Sequence, residues 1–193
     1  MLVNKDAPYR TVKEFVAYAK ARKDPLFSGY GNASSRVPSA LFEVTSGVKF
    51  EEVAYRDAVA SIQDLNAGRV HAVFPDQVVG ESYVRSGYVR ALAVTSPEPQ
   101  YPDVEAIAET YPEYSIVAYS CFSVRKEVPA VLKQRLNRLI MDALYEPAVL
   151  ARVKEFGLTP PSRDWDIEKC DAFVQRERES WTRYIKLAKI EPQ

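Results

Sequence analysis

The sequence predicts an α/β domain built on a largely parallel sheet with helices on both faces. Short β-prone runs alternate with helical segments of about ten residues between residues 11 and 95, and that rhythm places a crossover helix between successive parallel strands. Glycines suited to the left-handed helix stop stand at the ends of those segments, at Gly47, Gly68 and Gly87.

The first helix is expected over residues 11–22, where Thr11-Val-Lys-Glu14 reads as a capping box and Phe15, Val16, Tyr18 and Ala19 form an apolar stripe. A strand at 26–28 breaks into the loop Gly29-Tyr-Gly-Asn-Ala-Ser-Ser35, and a second helix follows over about 37–46. The pattern repeats as strand 50–54 and helix 57–67, then strand 70–74 and helix 77–86. Strand 89–95 ends in a Pro-rich loop, 96–102.

The character changes after Glu113. Residues 115–124, rich in Val, Ile, Tyr and Phe, read as one long strand with Cys121 buried and inert inside it. An amphipathic helix is expected at about 130–145, carrying Leu132, Leu136, Leu139, Ile140 and Leu144. Pro147 interrupts it, a short helix runs to Phe156, and Gly157 stops that helix. A last helix over about 166–188 sets Ile167, Phe173, Val174, Trp181, Ile185 and Leu187 along one side. These residues hold too few strands for a sheet of their own and read as a piece of something larger. No internal repeat or low-complexity tract is present.

Bulk composition narrows the function. At 193 residues, 47% hydrophobic and 27% charged, the chain suits an ordinary globular protein. Lys plus Arg and Asp plus Glu are both 26, and no clustered basic face stands out, which argues against nucleic acid as a partner. No apolar run reaches bilayer-spanning length. The opening Met-Leu-Val-Asn-Lys-Asp lacks the charged-then-apolar pattern of a signal peptide, so the chain as written is expected in the cytoplasm. A lone His71 and two distant cysteines, Cys121 and Cys170, leave no metal site of soft ligands and no imidazole-based hydrolase. The two cysteines allow one optional bridge at most. No cofactor motif appears.

Polar residues cluster where strands give way to helices. Gly31-Asn32-Ala33-Ser34-Ser35 offers free N–H groups, two hydroxyls and an amide at a helix start, a place that favours a carboxylate. Ser34 or Ser35 reads equally as a plain helix cap. Arg36 is either an anion clamp or a solvated cation, and a cation is slightly disfavoured at that end of a helix. Tyr55-Arg-Asp57 and Pro75-Asp76 end the next two strands on the same sheet edge, where ligands of open parallel sheets gather. Asp57 and Asp76 also have the simpler reading of helix caps. His71 reads as a packed or edge residue of its strand.

Taken in order, these segments resemble the receptors of tripartite tricarboxylate transporters, of the Bordetella-uptake-gene type. The carriers are residues 11–20, the loop Ser28-Gly-Tyr-Gly-Asn-Ala-Ser-Ser35 with Ala40-Leu-Phe42, Val53-Ala-Tyr-Arg56 with Asp64-Leu-Asn-Ala-Gly68, and Gly87-Tyr-Val-Arg-Ala-Leu-Ala-Val-Thr-Ser96. Tyr101-Pro-Asp-Val104 and the closing helices are similar too. The resemblance implies a periplasmic-binding-protein-like lobe of type II-like architecture, with a parallel-rich sheet plus C-terminal helices of an incomplete second lobe. Residues 5–113 would be the family's second lobe, and residues 114–193 the return strand and helices that complete the first, whose beginning is absent. It further implies a small carboxylate ligand (a dicarboxylate or a carboxylated aromatic), a membrane permease as partner and a periplasmic location.

The ligand set carried over is Gly31, Asn32, Ser34, Ser35, Arg36, Tyr55, Asp76 and Tyr119. The chain departs from the family pattern at Ala33, where Gly is usual, and at Tyr119, where Trp is common; it also lacks the family's His near Arg36, and Pro75-Asp76 stands for an acidic-amide pair. No catalytic role is expected, although Asp76, Tyr55, Tyr119 and Cys121 would serve the alternative of a small cytoplasmic enzyme or ligand sensor recruited from the same fold. The long apolar helix faces and an unpaired strand edge in 114–193 lead us to expect a homodimer.

Overall fold

The computed structural model describes residues 1–97 and 101–190. In chain order the elements are β1 (Leu2–Val3), α1 (Val12–Ala21), β2 (Leu26–Tyr30), α2 (Ala33–Ser46), β3 (Phe50–Ala54), α3 (Ala58–Asn66), β4 (Ala72–Val73) and α4 (Gln77–Arg85). β5 (Arg90–Ala91), β6 (Ala93–Val94), β7 (Glu105–Ala106), α5 (Ile107–Thr110), α6 (Ala130–Leu144), α7 (Pro147–Glu155) and α8 (Ile167–Leu187) follow. These fall into two compact units: Met1–Ala118 with the residues from Tyr184 on, and Tyr119–Arg183.

The first unit holds a five-stranded sheet in the order β3-β2-β4-β1-β5. β2 runs parallel to both β3 and β4, while β1 lies antiparallel between β4 and β5. Four strands therefore point one way and β1 the other. The sequence does not announce β1 or β7, because a two-residue strand has no periodicity to read. The expected strand 89–95 divides at Leu92, whose N–H donates to the Met1 carbonyl at 3.0 Å. β5 joins the main sheet, and β6 pairs in parallel with β7 as a second, two-stranded sheet. The Pro-rich loop expected at 96–102 lies partly outside the described residues.

Alternation along the strands sorts side chains to two faces. On one face Phe42 of α2 is fully buried at the centre of an aromatic cluster. Its ring meets Phe15, Phe50, Phe74, Tyr111 and Tyr114 at centroid distances of 5.9–6.4 Å. Tyr114 is buried too, and its hydroxyl donates to the Pro38 carbonyl at 3.0 Å, which gives the phenol the partner it needs inside a core. The opposite face packs Ile62 and Leu65 of α3 with Val73, Val70, Val89 and Leu2, flanked by Val53, Tyr55, Tyr83 and Val84. Helices cover both faces, as the alternating pattern implies.

Several boundaries move for identifiable reasons. α2 begins at Ala33 and not near Val37 as the sequence suggests. Pro38 suits a first turn, but Asn32 takes the N-cap, its side chain accepting the Ser35 N–H at 3.0 Å, and the proline sits inside the helix. In α1 the Thr11 hydroxyl accepts the Glu14 N–H, whereas the Glu14 carboxylate takes the N–H of Arg10 instead of closing the box on Thr11. Gly47 closes α2 with φ 73°, a left-handed conformation that glycine adopts without a Cβ penalty.

The long strand expected at 115–124 does not form. Ile116 N–H donates to the Thr95 carbonyl at 3.0 Å, but no strand forms around that bond. β-branched and aromatic residues fit a pleated surface, but a ladder needs a neighbouring strand, and residues 117–124 are exposed and belong to no strand. Cys121 is accordingly exposed and not a buried strand residue.

In the second unit, α6 and α7 form as expected, with Pro147 opening α7. Tyr119 packs edge-on against Phe173 of α8 with centroids 5.2 Å apart, and Trp165 meets the same ring at 5.3 Å. No side chain between Tyr119 and Arg183 is buried.

His71 just precedes β4. Its N–H donates to the Phe27 carbonyl at 2.8 Å, its Nδ1 accepts the Phe27 N–H at 3.1 Å, and its ring stacks on Phe27. Burial, and then the charge of Arg22, hold this imidazole below the ordinary histidine range. Protonation would place a hydrogen where Nδ1 must accept one. The unfolded chain takes up that proton near pH 6.5, the folded chain only at lower pH, so acid favours unfolding between the two. Stability is therefore full above about pH 6.5 and declines as pH drops toward the lowered value. We expect the urea midpoint of the parent to fall over that window and His71→Asn, which keeps an acceptor but cannot titrate there, to lose this part of the slope. Identical slopes would remove His71 from the account.

Candidate functional site

The five-residue pairing of β2 with β3, from Leu26 opposite Phe50 to Tyr30 opposite Ala54, makes both strands end on one line. β4, paired at Ala72 and Val73, ends on the same edge, so α2, α3 and α4 all start there. Gly31 lies against the start of α3. A Cβ at Gly31 would meet the Asp57 carbonyl carbon at 2.5 Å and the Ala58 nitrogen at 2.7 Å, which only glycine avoids. Asp57 caps α3 by accepting the Ala60 N–H at 2.8 Å.

Within the loop, the Ser35 hydroxyl accepts the N–H groups of Gly31 and Asn32 at 3.1 and 3.2 Å, and Asn32 caps the helix. Neither Ser34 nor Ser35 is the N-cap, although Ser35 is locked into the cap as its third-residue partner. The N–H groups of Ala33 and Ser34 have no acceptor among the described residues. The Ser34 hydroxyl has three oxygens within reach: Asn32 Oδ1 at 2.8 Å and the two Asp76 carboxylate oxygens at 3.1 and 3.3 Å. Asp76 occupies the N-cap position of α4 without making a capping bond, so its carboxylate is turned to Ser34 and not to its own helix.

The other expected ligand residues are engaged elsewhere. Arg36 is held bidentately by Glu52 of β3, with bonds of 2.7, 3.0 and 3.2 Å, and stacks over the Tyr30 ring at 5.1 Å. This pairing raises its already high pKa through the Glu52 hydrogen bond first. Tyr55 lies on the opposite sheet face, where its hydroxyl donates to Asp64 at 2.8 Å, and Asp64 also binds Arg69 at 2.6 Å. Desolvation, then the Asp64 bond, push the Tyr55 phenol up to about 12. It stays protonated at any physiological pH. Tyr119 belongs to the second unit, against Phe173.

The edge thus brings together Gly31, Asn32, Ser34, Ser35 and Asp76, a set of hydrogen-bonding groups arranged around the Ser34–Asp76 contact. His71 sits at the other end of its strand, beside the start of β2. No cluster of three or more metal-binding side chains occurs among the described residues. The bond from Ser34 to Asp76 was not anticipated, yet both residues end strands neighbouring in the sheet, which was the available signal.

A family model described as the tripartite tricarboxylate transporter family receptor matches residues 1–190. The chain belongs to that family. Its relatives include the protein of the tcbD–tcbE intergenic region of Pseudomonas sp. strain P51, 28% identical over 96% of this chain and 56% of the relative. BugT of Bordetella pertussis is 24% identical over 96% of this chain and 58% of BugT. Among solved structures, Rpa4515 of R. palustris with adipate superposes with TM-score 0.87 and 24% identity, covering 100% of this chain and 65% of that one. The periplasmic binding protein BugD gives TM-score 0.83 at 22% identity, covering 100% and 66% respectively. The mixed α/β fold of a periplasmic binding protein is therefore shared, and the chain spans between half and two thirds of the length of these receptor-family relatives.

Because a Cβ at position 31 must displace backbone, Gly31→Ala should lower stability by about 1–3 kcal/mol. Denaturant titration checks this, and an unchanged midpoint would show that the loop and α3 are free to separate.

Proposed function

We propose that residues 5–113 form one ligand-gripping lobe of a solute receptor and that a small carboxylate is held at the start of α2. The observation that carries the reading is the pair of acceptor-free N–H groups at Ala33 and Ser34, beside a hydroxyl that can turn to a ligand. A carboxylate oxygen there gains hydrogen bonds and the favourable end of the helix dipole together. Structural neighbours solved with adipate and with malate support the ligand class. Asp76 sets a limit on orientation: a second carboxylate placed on its side would face a like charge, so the far end of a dicarboxylate points away from α4. Arg36 and Tyr55 shape the edge through Glu52 and Asp64 without gripping the ligand. Binding without turnover, a permease partner and a periplasmic location complete the proposal, in keeping with the family.

Ser34→Ala should weaken carboxylate binding about ten- to a hundredfold, the loss of one charge-assisted hydrogen bond. Calorimetry with a panel of mono- and dicarboxylates measures it. Equal affinity in parent and variant would reduce Ser34 to a first-turn residue and sink the assignment.

We also propose that the second unit mediates a homodimer. Phe122, Val131 and Leu139 are 84%, 77% and 56% exposed there, and apolar surface of that kind is normally covered. Light scattering at micromolar concentration should give twice the monomer mass; a clean monomer counts against it.

A further inference from the structure

We propose that Cys121 and Cys170 form an internal disulfide under oxidising conditions, tying the segment that follows Tyr119 to α8. The register comes from the ring pair Tyr119 and Phe173, with centroids 5.2 Å apart at 82°. Residues 115–125 carry no helix or turn, and two residues beyond Tyr119 Cys121 lies within about 7 Å of it along the chain. Three residues before Phe173 on the same helix face stands Cys170, about 4.5 Å along the axis. The segment and the helix therefore run past one another with 119 against 173 and 121 against 170.

A second observation agrees. Burial first, then the Asp171 and Asp166 carboxylates and Cys121 itself, push the Cys170 thiol above its ordinary range, and a charge on Cys121 is felt at Cys170 only if the sulfurs are near. Both thiols are free in the structure, Cys121 exposed and Cys170 partly so, which leaves them open to a soluble oxidant.

The chemistry balances with a small disulfide as oxidant. Cys121, the more accessible thiol, gives up its proton, and its thiolate attacks one sulfur of oxidised glutathione, releasing one glutathione thiolate. Cys170, once deprotonated, attacks the Cys121 sulfur of the mixed disulfide and releases the second. Two protein S–H bonds become one S–S bond, and the oxidant's S–S bond becomes two S–H bonds.

The test treats the full chain at low micromolar concentration with oxidised glutathione, alkylates residual thiols and measures intact mass. The expected product is a single chain lighter by two hydrogens with no alkylation, in excess over the disulfide-linked dimer. Cys121→Ser and Cys170→Ser should each stop with one glutathione attached. Closure should run at least about tenfold faster than in urea-unfolded chain, where only the tether acts. Phe173→Ala should slow closure while leaving glutathione addition to Cys121 unchanged. Glutathione accumulating on both cysteines, or closure no faster when folded than in urea, overturns the proposal.

Discussion

The register between β2 and β3 is the constraint on which the ligand edge depends. Five consecutive pairs bring Tyr30 and Ala54 to one line, and only then can Gly31 rest against the backbone of Asp57 and Ala58. A slip of one residue would exchange the faces of every β3 side chain. Glu52 would leave Arg36, and Tyr55 would leave Asp64. The two pairs act as locks on opposite faces of one strand, and neither survives in the alternative register. α4 joins the assembly from the third strand end, through Asp76 to Ser34.

On the proposed reading, this division of labour leaves Arg36 and Tyr55 shaping the edge through their own partners and not touching the ligand. Arg36 looks from the sequence like an anion clamp, but it is satisfied by Glu52 with roughly a quarter of each side chain exposed. A partly solvated pair of this kind adds only about 0–1 kcal/mol to stability, yet it occupies the guanidinium donors in a fixed fork. An anion bound as proposed would meet neutral donors instead: main-chain N–H groups and one hydroxyl. In the proposed site a carboxylate would be recognised by the placement of its oxygens more than by net charge, and Asp76 would penalise a second negative group nearby. The same logic accounts for Tyr55, whose hydroxyl proton is committed to Asp64.

How much of this was legible follows from what each signal measures. The helices and the longer strands of the first 95 residues show because their burial is periodic and their stops are glycines. The N-cap at Asn32 was hidden by Pro38, which invites a helix start four residues too late, and the Asn side chain won because it satisfies the Ser35 N–H directly. β1 and β7 are too short to carry a pattern. The segment 115–124 misled in the other direction, since propensity reports how well side chains fit a sheet and says nothing of whether an adjacent strand exists. The partner of Arg36 was readable in principle: Glu52 shares the strand face of Phe50, and Phe50 packs against Phe42 of the same helix.

The second unit raises a different physical question, because nothing between Tyr119 and Arg183 is buried. Its own contacts include ring pairs around Phe173, the Arg163 guanidinium over Tyr145 at 4.5 Å, and the Tyr145 hydroxyl donating to Pro161 at 2.7 Å. Each contributes on the order of 1 kcal/mol. Fixing the backbone costs about 1–2 kcal/mol per residue, and helices without a buried face recover little of it. On the proposed reading, covering Val131, Leu139 and their neighbours in a homodimer would supply the apolar burial that α6 and α7 lack. In that proposed dimer, residues that look superfluous on a single chain would be the ones that stabilise these helices.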